Sequence, residues 1–195
     1  MAVAAVFFDV GETLVDETGM WERAADAAGV PRFTLMGVLG GLAARGERHS
    51  SVWEILGVDV PASTWERDDF YPDALPCLSR LRSRGLLVGA VGNTPAEAEE
   101  LLRERVDFVG SSERWGVEKP APEFFERMVG ETECEPGQLA YVGDRVDNDV
   151  LPALRAGLVA IHIRRGPWGY LHDAAGRAHA QIASLDELPE VLRGL

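Results

Sequence analysis

The chain opens on an unbroken apolar run, Val3-Ala4-Ala5-Val6-Phe7-Phe8, that ends abruptly at Asp9. A short run without alternation suits a strand covered on both faces, as in a parallel sheet. Similar runs recur from residue 71 onward, at 86–91, 106–109, 139–142 and 158–163, and each is read as a strand. Between them, apolar residues fall at helical spacing over 73–84, 95–103, 122–129, 148–156 and 185–192. Gly85 and Gly157 mark helix stops, and Thr94 before Pro95 reads as an N-cap. Alternating strand and helix predict an α/β protein built on a three-layer, doubly wound parallel sheet.

Residues 16–70 break that rhythm. Helical patterns cover 21–28, 33–44 and 51–56, with Gly29-Val30-Pro31 as a breaker after the first, and no strand pattern intervenes. The reading is a small helical cap over 16–70, inserted in a core made of 1–15 and 71–195. Trp21, Arg45, Arg48 and Trp53 are assigned core or surface roles there, with a place over the site as the alternative.

Charge narrows the choice of partners. A net charge of -13 repels phosphate backbones and anionic membrane surfaces, so neither nucleic acid nor membrane is expected as a partner. No apolar run approaches the ~20 residues of a membrane span. The apolar start carries no basic residue and is not read as a leader, so a cytoplasmic protein is expected, monomeric or homodimeric. Cys77 and Cys134 match no metal or redox spacing. His49, His162, His172 and His179 share no ligand spacing, and His162 reads as packed in its strand. Arg164-Arg165-Gly166-Pro167 reads as an exposed turn. Of 19 basic residues, all but Lys119 are arginine.

In open parallel sheets, sites form beyond the carboxyl ends of the strands. The first strand delivers Asp9; the second, Gly92-Asn93-Thr94; the fourth, Gly143-Asp144, with Asp147 and Asp149 just after. Lys119 lies in a loop before a helix. Converging carboxylates repel one another unless a cation joins them, and magnesium prefers one or two carboxylates together with water and phosphate oxygens. A lysine beside them can hold both a carboxylate and a phosphoryl oxygen, and an aspartate held there can attack phosphorus. Asp147 reads as solvated, and Asp149 either supports a metal or caps the helix that follows.

Four segments resemble, in order, the motifs of the haloacid dehalogenase-like superfamily. They are Phe7-Phe8-Asp9-Val10-Gly11-Glu12-Thr13-Leu14; Gly89-Ala90-Val91-Gly92-Asn93-Thr94; Gly116-Val117-Glu118-Lys119-Pro120; and Tyr141-Val142-Gly143-Asp144-Arg145-Val146-Asp147-Asn148-Asp149. The resemblance spans Phe7 to Gly157 and implies a Rossmann-like core, a helical cap between the first two motifs and a magnesium cofactor. It implies Asp9 as nucleophile and metal ligand, Gly11 as a main-chain metal contact, and Lys119 as the phosphoryl-stabilising cation. Asp144 and Asp149 complete the metal site, and Asn93 and Thr94 lie at the phosphate-binding turn. The activity implied is a phosphatase acting on a small phosphorylated metabolite through an aspartyl-phosphate.

Two positions depart from the family pattern. Gly11 stands where the family's phosphatases carry a general-acid aspartate, a group whose contribution is typically ~10²–10⁴-fold. Simple alkyl phosphates are therefore expected to be poor substrates. Glu12 is adjacent but expected to point elsewhere; Asp16 and Glu17 are candidate replacements. Gly92 stands where the family carries a hydroxyl. These glycines keep two alternatives open, a carbon–halogen hydrolase and a non-catalytic protein with a binding or regulatory role. The family's phosphonate-cleaving branch needs a second lysine, which this chain lacks.

Overall fold

A computed structural model describes residues 2–195. Its centre is a six-stranded sheet, all parallel, formed by β1 (Ala5–Phe8), β2 (Leu87–Gly92), β3 (Phe108–Ser111), β4 (Leu139–Gly143), β5 (Val159–Ile163) and β6 (Ala180–Ile182). The spatial order is β3-β2-β1-β4-β5-β6. Beside β1 the winding direction reverses, which opens a crevice beyond the strand ends.

Each strand projects successive side chains to opposite faces. Val6 and Phe8 of β1 enter one apolar layer with Leu78 and Leu81 of α4 (Ala74–Ser83) and Leu188 of α10 (Leu188–Gly194). Ala5 and Phe7 enter the other, with Phe124, Phe125 and Met128 of α7 (Pro122–Gly130) and Ala153 of α8 (Leu151–Arg155). This two-sided burial is why the strands read as unbroken apolar runs.

The remaining helices are α1 (Thr18–Ala27), α2 (Arg32–Arg45), α3 (Val52–Leu56), α5 (Ala98–Leu102), α6 (Ser112–Trp115) and α9 (Gly166–Leu171). Helices α1–α3 enclose an apolar cluster of their own, with Trp21, Leu35, Leu42 and Trp53 at its centre. The chain leaves for them and returns along paired backbone: Asp16 N–H donates to the Asp69 carbonyl at 2.7 Å, and Tyr71 N–H to that of Leu14 at 3.0 Å.

Several local expectations are corrected. The helix expected from Pro95 begins at Ala98, so Thr94 does not cap it. The Ala96 N–H donates instead to the Glu113 side chain at 2.6 Å, tying the turn to α6. The stretch expected to begin a helix at Asn148 is a wide turn, in which the N–H groups of Asp149 and Val150 both donate to the Arg145 carbonyl. Arg165 does not lie in an exposed turn: it is buried, paired with Asp73, and donates to the Thr13 carbonyl at 2.9 Å. The short elements β6, α6 and α9 had no counterpart among the expected ones.

Candidate active site

Asp9 follows the last residue of β1, and its N–H extends the ladder to the Val142 carbonyl of β4 at 2.8 Å. The side chain therefore starts from a position fixed by the sheet. Asp144 follows β4 in the same way. Asp149 reaches back from the wide turn, and the Arg145 N–H donates to its Oδ2 at 2.9 Å. Gly143 makes room for it, because a Cβ there would collide with the Asp149 carboxylate. Asp149 does not cap the helix that follows, whose N-cap is Val150; it lies fully buried inside the turn.

Lys119 Nζ lies 2.6 Å from Asp9 Oδ1 and 2.6 Å from Asp149 Oδ1, with 4% of the residue exposed. Burial works against its charge, but Asp149 and Asp9 together hold its pKa well above the ordinary value. Asn93 clamps this lysine by its backbone. The Asn93 Nδ2 donates to the Lys119 carbonyl at 2.9 Å, and the Lys119 N–H donates to Asn93 Oδ1 at 2.7 Å. Asn93 thus acts on the site through the lysine, with both ends of its amide engaged.

Asp144 has no ion-pair partner among the described residues. Burial first, then Asp149 and Asp9, push its pKa well above the carboxylate range. Burial raises Asp149 to about 6 against the pull of Lys119. Ligand oxygens of Asp9, Asp144 and Asp149 lie within 4.8 Å of one another. Three buried carboxylates against one ammonium leave an excess of negative charge in a buried site. An all-oxygen donor set of that charge fits a hard divalent cation such as magnesium.

Glu12 takes a left-handed backbone, φ 53°, and turns inward, contrary to expectation. Tyr71 Oη donates to its Oε2 at 2.6 Å, and burial raises its pKa. Glu17, half-buried, lines the same crevice. Trp21 Nε1 donates to its Oε2 at 3.2 Å, and burial, then Glu12, raise it to about 8. The place of the side chain missing at Gly92 is bounded by Asp9 Oδ1 at 2.8 Å and Thr94 Cγ2 at 3.3 Å from an ideal Cβ.

Asp9, Glu12, Glu17, Asn93, Lys119 and Asp144 line one small cavity of about 80 Å³, walled further by His49, Trp65, Arg145 and Trp168. The His49 ring meets Trp168 edge-on at 6.1 Å, so the helical segment touches the core across the mouth. Arg48 pairs with Glu118 at 3.0 Å on the same side. Trp21 and Trp53 belong to the apolar cluster, and Arg45 is an exposed partner of Glu47. His162 is buried, with Nε2 2.8 Å from the Asp144 carbonyl. Sequence reasoning missed His49, Trp65 and Trp168 as lining groups; nothing in their spacing points to the site, and only tertiary packing brings them there.

Fold and site together define a doubly wound α/β protein with a cluster of buried carboxylates at the strand ends. The chain belongs to the haloacid dehalogenase-like hydrolase family, which matches residues 3–157. It is 40% identical over 104 residues to a glyceraldehyde 3-phosphate phosphatase of Methanopyrus kandleri, covering 50% of this chain and 45% of that protein. A protein of the same description from Methanocaldococcus jannaschii is 32% identical over 131 residues, covering 64% and 57%. The chain thus spans about half the length of these curated relatives. Among solved structures, a HAD phosphatase from Thermococcus onnurineus superposes with a TM-score of 0.68 at 23% identity, covering 100% of this chain and 99% of that one.

Proposed function

We propose that the chain is a magnesium-dependent phosphatase for small phosphorylated metabolites, with Asp9 as nucleophile. The observation that carries the reading is the shared ammonium: Lys119 joins Asp9 to Asp149, while Asp144 closes the same cluster with no cation partner among the described residues. The match to proteins described as glyceraldehyde 3-phosphate phosphatases supports a compact phosphate ester, as does the small cavity. Magnesium held by Asp9, Asp144 and Asp149 would supply positive charge to the phosphoryl oxygens.

The residues of the chain account for the rest. Asp9 is fixed by the ladder to β4 and pre-aimed at the crevice, which lowers the entropic cost of attack. Its carboxylate forms a bond to phosphorus as the ester P–O bond breaks, giving an aspartyl-phosphate that water then hydrolyses. Lys119, clamped by Asn93, faces the developing charge with little reorganisation. Thr94 turns its methyl toward the vacant place at Gly92. Residues 16–70 serve as a lid, with His49 and Trp65 excluding water from the crevice.

The test is phosphate release from an aryl phosphate, with magnesium or with a chelator, for the wild type and Asp9→Asn. Turnover that needs both magnesium and Asp9 is the expected result. Magnesium-independent halide release from a 2-haloacid, without phosphate release, would overturn the reading.

A further inference from the structure

The side chain that Gly11 lacks has its place taken by another residue. A Cβ built on Gly11 lies 2.5 Å from Glu17 Oε1 and 3.0 Å from its carboxyl carbon, with Trp65 at 3.6 Å. The Glu17 carboxyl therefore fills the volume where the family's acidic side chain would begin. It arrives there from the start of the helical segment, six residues later in the chain. Its seat is specific: Trp21 Nε1 donates to one oxygen, the Glu17 N–H donates to Glu12 Oε1 at 3.1 Å, and the Trp65 indole closes the far side. Glu12 is itself held by Tyr71 and does not compete for the place.

We infer that Glu17 is a catalytic residue of this site, the proton donor to the leaving-group oxygen in place of an acid at position 11. The inference rests on the phosphatase reading above and adds the group that reading leaves open. As Asp9 bonds to phosphorus and the ester P–O bond breaks, the carboxyl proton passes to the departing oxygen, leaving Glu17 ionised. Glu17 then takes a proton from the water that attacks the aspartyl-phosphate, which releases inorganic phosphate and returns Asp9 as a carboxylate. Alkyl phosphates, whose leaving oxygen needs a proton, become proper substrates. That reverses the expectation drawn from Gly11 alone.

The test compares glycerol 3-phosphate with 2,4-dinitrophenyl phosphate, whose leaving group needs no proton. Glu17→Gln is expected to lower kcat/KM, which reports only transfer of the phosphoryl group to Asp9, by ~10²–10⁴-fold for the alkyl ester and by less than about tenfold for the aryl ester. Gly11→Asp alone puts two side chains in one place, so it should melt below the wild type. Gly11→Asp with Glu17→Gly should recover both the melting temperature and alkyl turnover. Equal losses of kcat/KM on the two esters in Glu17→Gln, no alkyl turnover in the wild type, or an unshifted melting temperature in Gly11→Asp would each overturn the inference. Asp9→Asn separates the two levels: full activity in that variant defeats the phosphatase reading itself, whatever Glu17 does.

Discussion

Lys119 shows how much one residue decides. It is the sole lysine of the chain, fully enclosed, and the only cation within ion-pair distance of Asp9 and Asp149 among the described residues. Removing one partner of a buried ion pair leaves uncompensated charge, at about 3–5 kcal/mol. Lys119→Met should lose that much stability in chemical denaturation, as well as catalysis; unchanged stability would mean the pair is not closed in solution. Position 119 was legible because a lone lysine followed by Pro120 stands out in an arginine-rich chain. Asp9 and Asp144 were legible because each ends an apolar run. The seat of Glu17 was not. It depends on the left-handed turn at Glu12 and on the pairing of Val15 with both Gly11 and Phe70, which no local spacing encodes.

At the scale of elements, the sheet is a device for bringing distant carboxylates to one edge. β1 and β4 pair in register from Ala5 opposite Leu139 to Phe8 opposite Val142, so Asp9 leaves the sheet opposite Gly143 and Asp144 follows one residue beyond. That register depends on tight packing beneath it. Gly89 of β2 lies opposite Phe7, and a Cβ there would fall within contact distance of the Phe7 ring, itself packed against Phe108 at 5.9 Å. Gly89→Ala should therefore overpack the layer and cost about 1–3 kcal/mol, read as a lower denaturation midpoint. Five of the six strands were foreseeable from apolar runs buried on both faces. β6, with three residues and one exposed, carries too little pattern to find. The helix after β2 was overextended because Glu113 draws the backbone at Ala96 toward α6.

For the molecule as a whole, a few of its 32 acidic residues are buried together around the crevice. Burial raises Glu17 to about 8, Asp149 to about 6, and Asp144 well above its ordinary value. A carboxyl with a raised folded pKa binds its proton more tightly in the native state, so stability falls as pH rises from the unfolded value through the folded one. For Glu17 that window runs from 4.5 to about 8. The metal-free protein should melt lower near pH 8 than near pH 5, and Glu17→Gln should flatten the fall. Magnesium should raise the melting temperature more at the higher pH, because protons compete for its ligands. A metal-free melting temperature that does not change across this range would contradict the account.

The wall contributed by His49 and Trp65 also belongs to this scale. It arises where the helical segment meets the core, and no helix of the described chain is long and apolar enough to cross a membrane.

The central claim is that Asp9 takes the phosphoryl group onto itself. It is tested most directly by acid-quenching turnover of a ³²P-labelled phosphate ester and mapping the label on the denatured protein. The account predicts a hydroxylamine-labile phosphate on the peptide that carries Asp9, absent from Asp9→Asn. Magnesium-dependent turnover with no protein-bound phosphate, or with the label at another residue, would contradict it.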